Sequence, residues 1–297
     1  MLSRQQIEQC RAGTDRLAQP ILPLVRLAGM LYLTGPFNRL PDLFAELNEP
    51  VETGGITYDR PADLLRPYLE DMAPYERFKH PQAPSRIILS SQRTGLDQFE
   101  ALDGWVTQNV LIRELEEINS LLCGPCNCRL CCIGPEENMA QDFFEIPLSA
   151  QEKSFFQLTE INNTTSRQTS SESETPLMIQ GHPFYLSNDP LLVHWQQGWS
   201  MILPRRSSCP NLEQDSGGCT IYRKRPDVCR RPQIFAYALE RLAELDQEYE
   251  GRRLPAFCRR DTILAIWDCP YVKQFQEEIG VYAQLCGMEP IFKENKG

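Results

Sequence analysis

Ten of the twelve cysteines in this chain of 297 residues fall into two groups. The first group places five thiols within ten residues, and the second distributes five thiols over a longer stretch. Free cysteines retained for core packing are scattered, whereas metal ligands must converge from short loops. The fold must therefore bring separate segments together around a metal. The ten candidate ligands are Cys123, Cys126, Cys128, Cys131, Cys132, Cys209, Cys219, Cys229, Cys258 and Cys269.

The compartment decides how such cysteines are interpreted. The N-terminus has no basic segment followed by an apolar one, and the most apolar stretch, 20–36, contains Arg26 and is too short to cross a bilayer. We therefore expect a cytoplasmic protein without a membrane span. Cytoplasmic thiols stay reduced, so clustered cysteines indicate metal ligands or redox thiols, and a disulfide framework is the less favoured alternative.

The distribution of charge also points to the cysteines. A net charge of −10 argues against a general nucleic-acid-binding protein, which needs a basic face for the phosphates. Cationic side chains nevertheless concentrate around the second cysteine group, from Arg205 to Arg231 and on both sides of Cys258. Cations offset the negative charge of metal-bound thiolates, although a solvated basic surface remains the alternative for any single arginine.

The first 120 residues are predicted to form a mainly helical region. A capping sequence at 3–6 begins one helix, and a second helix is expected near 62–72. Apolar residues from Leu96 to Leu122 recur at helical spacing, which predicts a long amphipathic helix. This helix leads directly into the first cysteine group.

Residues 121–297 are predicted to form a cysteine-rich metal-binding domain, in a fold of the α+β class that is dominated by helices. The predicted strands cover 143–148, 177–179 and 199–203, and the predicted helices cover 149–158, 233–248 and 263–285, the last bent or beginning at Pro270. The polar segment 162–175 has too little apolar surface to order itself, so we expect a flexible insertion there.

The spacing of the cysteines favours a site made of thiolates alone. The first group consists of two adjacent Cys-x-x-Cys loops and the vicinal Cys132. A Cys-x-x-Cys loop is the smallest that holds two thiolates on one ion or cluster. Nine residues separate successive members of the run Cys209, Cys219 and Cys229, so the fold has to bring these ligands in. We expect Gly217-Gly218 to turn the chain back toward Cys209. Outside both groups lie the three histidines His80, His182 and His194, and also Cys10 and Cys286, which are expected to be ordinary buried thiols unless Cys286 joins the second group.

The second group forms part of a longer motif that resembles a known family. Cys209-Pro-Asn-Leu is followed by Cys219-Thr-Ile-Tyr222, Arg225-Pro226 and Val228-Cys229-Arg230. Together with the first group, this run resembles the YkgJ-like CxxCxxCC proteins, which are described as zinc- or iron-chelating domains. The resemblance covers about residues 123–232 and implies metal binding at the matched cysteines. The flagellin lysine N-methylases, in which an iron–sulfur centre is thought to accompany methyl transfer, carry a more distantly similar cysteine pattern.

An iron–sulfur cluster is favoured over zinc. One zinc site needs four thiolates and leaves six of the ten unexplained, whereas one or two [4Fe–4S] clusters employ four or eight. Tyr222, Arg225 and Arg230 are the candidate cofactor-binding residues outside the cysteines, because arginine donates to cluster sulfurs and tyrosine offers an aromatic face and a hydroxyl.

The expected function is electron transfer or redox sensing. One alternative is an enzyme that modifies a protein side chain, such as a lysine N-methyltransferase that uses a cluster. The other is a structural, zinc-stabilised interaction protein. In each case we expect a protein partner or a protein substrate, and the sequence identifies no catalytic residue.

Overall fold

The computed structural model describes residues 4–79, 85–126, 128–137, 139–213, 218–230, 233–249 and 251–294. Within these ranges the α-helices are α1 (Arg4–Ala18), α2 (Leu22–Thr34), α3 (Leu40–Glu46), α4 (Pro61–Leu65), α5 (Leu69–Lys79), α6 (Gln98–Cys126), α7 (Asp227–Arg230), α8 (Pro270–Gln274) and α9 (Gln276–Leu285). The strands are β1 (Val51–Thr53), β2 (Ile56–Tyr58), β3 (Ile87–Leu89), β4 (Phe143–Leu148), β5 (Thr159–Ile161), β6 (Met178–Ile179), β7 (His182–Pro183), β8 (Leu191–Trp195), β9 (Gly198–Pro204), β10 (Ile234–Arg241), β11 (Gln247–Tyr249), β12 (Arg252–Leu254), β13 (Ala256–Ile266) and β14 (Glu289–Lys293).

The fold is α+β, with 43% of the described residues in helices and 24% in strands. The expectation that helices dominate is not supported, because two segments predicted to be helical contain long strands. Strand β10 lies where a helix over 233–248 was predicted, and β13 extends into the start of the helix predicted over 263–285. These strands pair with each other in an antiparallel ladder, and their β-branched and aromatic residues suit that pairing better than a helix. The last helical segment does begin at Pro270, as predicted.

The predicted helix over 149–158 is also wrong, although its N-terminal capping bonds form. The Ser149 N–H donates to a Glu152 carboxylate oxygen at 2.7 Å, and the Glu152 N–H donates to Ser149 Oγ at 3.3 Å. Only a 3-10 turn follows, Glu152–Phe155. The chain then enters β5, which pairs in parallel with β8, so tertiary pairing ends the helix after one turn.

Helix α6 is the central element of the main hydrophobic core. Its 29 residues bury an apolar face against α1, α5 and β10. The core joins side chains from Leu17 to Leu122 with others from Ile234 to Met288, so it spans both sides of residue 120. At the C-terminal end of α6, Cys123 and Cys126 are half-buried against this core. Helix α6 thus places the first cysteines at the edge of the main hydrophobic core.

A buried carboxyl group lies in the same core. Glu114 on α6 is 2% exposed, and its two oxygens accept hydrogen bonds from the Ile21 N–H at 2.8 Å and the Tyr282 hydroxyl at 2.7 Å. Burial raises the pKa of Glu114 to about 7, because desolvation disfavours the charged form more than the two hydrogen bonds favour it. The charge of this core therefore changes near neutral pH.

Two four-stranded sheets complete the fold. In the first, β13 pairs antiparallel with β10 and in parallel with β14 and β3. The second has the order β4-β9-β8-β5. Because side chains alternate along a strand, Met201 and Leu203 of β9 face one apolar cluster and Ile202 faces another. The Met201 cluster packs against Cys209 and Cys229, so this sheet supports the second cysteine group.

Two further expectations from the sequence concern a membrane span and the polar segment 162–175. In the described residues no single helix combines the length and apolarity needed to cross a membrane, although the bent pair α1 and α2 passes together on length and composition. The segment 162–175 contains a 3-10 turn, Ser166–Gln168, in which Ser166 is buried and hydrogen-bonds with Asn163. Its flexibility stays a prediction.

Candidate metal centre

A cavity of about 70 Å³ lies between the C-terminal end of α6 and the sheet that contains β4 and β9. Apolar side chains, including Ile146, Phe156 and Met201, line part of its wall. Of the thiols that line it, Cys131 is exposed and the others are half-buried. Both cysteine groups therefore converge on one space. The seven lining cysteines are Cys123, Cys128, Cys131, Cys132, Cys209, Cys219 and Cys229.

Backbone pairing joins the two groups. The Cys209 N–H donates to the Cys132 carbonyl at 2.8 Å, next to an isolated antiparallel bridge between Ile133 and Ser208. The loop then passes so close to β9 that a Cβ atom on Gly134 would lie 1.9 Å from the Pro204 carbonyl oxygen. Only glycine fits at this position, and its absent side chain lets the cysteine loop approach the sheet.

The widely spaced cysteines reach the cavity through tight local turns. Leu212 N–H donates to the Cys209 carbonyl at 3.0 Å and Leu212 forms a bridge with Cys219, which brings Cys219 back toward Cys209. The Gly217 part of the predicted turn lies outside the described residues. Further on, the Cys229 N–H donates to the Pro226 carbonyl at 2.9 Å at the start of α7. Two turns and one antiparallel bridge therefore replace the short loops of a simple zinc site.

Crowding and burial change the acidity of these thiols. Burial raises the pKa of Cys209 to about 11 and the pKa of Cys123 and Cys229 to about 12, and neighbouring thiols add to each shift. The Sγ atoms of Cys131 and Cys132 lie 3.8 Å apart, and hydrogen bonding between them lowers the pKa of Cys131 and raises that of Cys132. A metal that binds these thiols as thiolates therefore has to displace their protons, so we expect its affinity to depend on pH.

A buried arginine lies beside the thiols. Arg225 is 7% exposed, and its guanidinium lies 3.9 Å from Cys123 Sγ while it donates to Ser120 Oγ and the Tyr222 carbonyl, both at 3.1 Å. It also stacks on the Tyr222 ring at 3.8 Å. Of the predicted cofactor-binding residues, Tyr222 and Arg225 line the cavity. Arg230 lines a neighbouring groove on α6, and its Nε donates to the Arg225 carbonyl at 3.0 Å.

A second, smaller thiol cluster lies at the edge of the cavity. We call Cys126, Cys128 and Cys269 the thiol triad, since their three Sγ atoms all lie within 4.8 Å of one another. The Tyr271 N–H donates to Cys126 and the Val272 N–H donates to Cys269, both from the start of α8. Hydrogen bonds from the Cys126 and Cys269 thiols lower the pKa of Cys128. The tail of the second group thus meets the first group here.

The structure places the remaining thiols elsewhere. Cys258 lies on β13, fully buried, and its thiol donates to the Ser90 carbonyl at 3.2 Å. It belongs neither to the residues that line the cavity nor to the thiol triad. Cys286 is buried in the main core, and Cys10 is half-buried on α1. The role of Cys258 as a metal ligand stays a prediction.

Neither of the two described histidines lines the cavity or belongs to the thiol triad. His182 lies in β7, and the His194 ring packs against Trp199 with 4.8 Å between ring centroids. His80 lies outside the described residues. Two polar residues of α6 were missed at the sequence level: Asn119, which is 1% exposed and accepts a hydrogen bond from the Tyr271 hydroxyl at 2.5 Å, and Ser120, the partner of Arg225. Their position within the apolar stripe, one turn before Cys123, was the available signal.

Comparison with known proteins agrees with this chemistry. Residues 122–286, more than half of the chain, match the family model described as "CxxCxxCC: Putative zinc- or iron-chelating domain". No curated protein and no solved structure matches the chain. The matched region contains all seven thiols of the cavity and the whole thiol triad. The chain therefore belongs to the CxxCxxCC family of zinc- or iron-chelating domains and is a metal-binding protein.

Proposed function

We propose that the cavity thiols hold an iron–sulfur cluster, preferably [4Fe–4S], and that the protein acts in electron transfer or redox sensing. The observation that carries this proposal is that the thiols line a cavity larger than a single metal ion requires. A zinc ion contacts its four ligands directly, about 2.3 Å from each sulfur. A cavity of about 70 Å³ is several times the roughly 10–15 Å³ needed for one water-sized occupant. This space suits a multi-atom cluster better than a single ion.

The donor set fits the same cofactor. Iron–sulfur clusters are held by four cysteine thiolates, and the cavity offers these together with additional thiols. When bound, such a cluster supplies a site for reversible one-electron transfer. The buried Arg225 guanidinium balances part of the negative charge of the thiolates, and a cation in this position favours the reduced, more negative form of a cluster.

The surroundings of the cavity support exchange with a protein partner. Cys131 is exposed, so the thiols lie near the protein surface. Two large apolar side chains close to the cavity are also exposed, Val228 at 39% and Phe155 at 38%. Val228 precedes Cys229, and the Phe155 carbonyl accepts a hydrogen bond from Asn211, which lines the cavity. Exposed apolar groups beside a redox centre give a partner protein a contact surface.

The composition of the anaerobically purified protein tests the proposal. We expect brown protein with iron and acid-labile sulfide in nearly equal amounts, and a reversible reduction in a potentiometric titration followed by electron paramagnetic resonance. Colourless protein that holds only stoichiometric zinc under the same conditions would contradict the proposal and would favour a structural, zinc-stabilised interaction protein.

Two matched serine variants link the cluster to the cavity. Cys219→Ser removes a thiol that lines the cavity, and Cys258→Ser removes a thiol on β13 while keeping a donor for the Ser90 carbonyl. We expect the first variant to lose most of its iron and sulfide and the second to retain the wild-type content. Equal iron in both variants would remove Cys219 from the ligand set of the cluster.

A further inference from the structure

We propose that the thiol triad of Cys126, Cys128 and Cys269 is a second metal site, which binds one zinc ion through three thiolates and leaves its fourth coordination position to water or a small thiol. This inference goes beyond the proposed function of the cavity. It concerns a different ion and does not require that the cavity binds iron. Cys128 lines the cavity as well, so the triad takes one of the seven cavity thiols and leaves six for the cluster.

The distances between the sulfurs carry the assignment. Two thiolates bound to one zinc at ~2.3 Å are ~3.8 Å apart at the tetrahedral angle and at most ~4.6 Å apart. The three Sγ atoms of the triad lie within 4.8 Å of one another, so small side-chain movements bring all three onto one ion. Thiolates on different irons of a cluster diverge from it and lie farther apart than two thiolates on one ion. The triad therefore fits a single ion and not a cluster.

The triad is also held in place before any metal binds. Cys126 ends α6, and Cys269 is the residue that precedes the first turn of α8. Backbone N–H groups of Tyr271 and Val272 donate to the sulfurs of Cys126 and Cys269. Such hydrogen bonds orient the sulfurs. Two of the three ligands thus have fixed positions at the ends of packed helices.

A buried polar chain supports this arrangement from behind. The Tyr271 hydroxyl donates to Asn119 Oδ1 at 2.5 Å, and Asn119 Nδ2 donates to the Ile234 carbonyl at 2.9 Å. These bonds tie the start of α8 to α6 and to β10. Supporting hydrogen bonds of this kind reduce the reorganisation needed when a metal binds.

The number of ligands predicts the chemistry of the ion. In the described part of the chain, this cluster of ligand atoms consists of the three thiols alone. Cys123, one helical turn before Cys126, lies instead beside Arg225 and lines the cavity. Structural zinc sites are closed by four protein ligands, whereas sites with three protein ligands keep one position for water or substrate. We therefore expect zinc in the triad to be accessible to exogenous ligands.

Metal analysis of three variants tests the site. Cys269→Ser removes a ligand of the triad only, Cys219→Ser removes a thiol of the cavity only, and Cys258→Ser is the control outside both. We expect Cys269→Ser to lose about one zinc per chain while its iron is unchanged, and Cys219→Ser to keep that zinc. Zinc retained by Cys269→Ser, or loss of iron with zinc unchanged, would overturn the second site.

Spectroscopy decides the matter if a variant folds poorly. We expect zinc X-ray absorption on Cys219→Ser to give three sulfur neighbours and one oxygen or nitrogen neighbour. If circular dichroism shows that this variant is misfolded, the same spectrum is measured on the wild-type protein. Added 2-mercaptoethanol is expected to replace the light atom with a fourth sulfur. Four sulfurs before the addition would overturn the open position. If the wild-type protein contains no iron, the proposal for the cavity fails while the zinc measurements still decide the triad.

Discussion

Replacement of Glu114 by glutamine should remove a specific dependence of stability on pH. The carboxyl group has a pKa near 4.5 in an unfolded chain, and burial raises this pKa to about 7 in the fold. The folded protein therefore binds the proton more tightly, so the stability that Glu114 contributes is complete below pH 4.5 and is lost as the pH rises through 7. At about 1.4 kcal/mol per pH unit, this gap corresponds to about 3 kcal/mol.

The amide of Glu114→Gln keeps an acceptor for the Ile21 N–H and places an NH₂ group near the Tyr282 hydroxyl, but it carries no charge at any pH. Urea unfolding of both proteins at intervals from pH 5 to 8.5 gives the difference in unfolding free energy, in which contributions from the thiols and metals cancel. This difference should shift in favour of the variant by about 2–3 kcal/mol across the range. Glu8→Gln, on a side chain that is 68% exposed and paired with Arg4, is the control and should keep the wild-type profile. Parallel curves for Glu114→Gln and the wild-type protein would refute the reasoning.

Three further predictions concern the cavity. Gly134→Ala should lower the metal content, and it should lower the stability in thermal unfolding by about 2 kcal/mol or more, because the new Cβ collides with the backbone of β9. The control Gly280→Ala, whose new Cβ lies in open space on α9, should raise the stability by about 0.5–1 kcal/mol. Arg225→Met removes a buried cation, so it should lower the reduction potential of a cluster by tens of millivolts in a potentiometric titration. The control Arg260→Met removes a cation from a half-exposed ion pair on β13 and should leave the potential unchanged. Cys229→Ser should lower metal content and melting temperature together, and unchanged metal content would remove Cys229 from the ligand set.

The sequence was most informative where chemistry restricts the residue type. Clustered cysteines predicted metal binding, because few other roles retain so many thiols close together. The long apolar stripe predicted α6, and the motif around Tyr222 and Arg225 predicted two residues that line the cavity. Each of these predictions rests on a local pattern with one dominant physical explanation.

The sequence was least informative where a distant segment decides the outcome. Residues of β10 and β13 have a mixed local preference, and they form strands because they pair with each other over about twenty residues of sequence. The assignment of Cys269 to Cys126 and Cys128, and the separation of Cys258 from them, depends on where α8 packs against α6. Sequence spacing does not contain that information.

The length of α6 has a mechanical consequence for the metal centre. At ~1.5 Å per residue its 29 residues form a rod of ~43 Å, so a tilt of only ~3° about its N-terminal end displaces Cys123 and Cys126 by ~2 Å. Metal–ligand distances tolerate only ~0.2 Å. The packing of α1 and β10 against α6 therefore fixes the positions of both cysteines. A molecule that weakened this packing far from the thiols would change the metal affinity by tilting the helix.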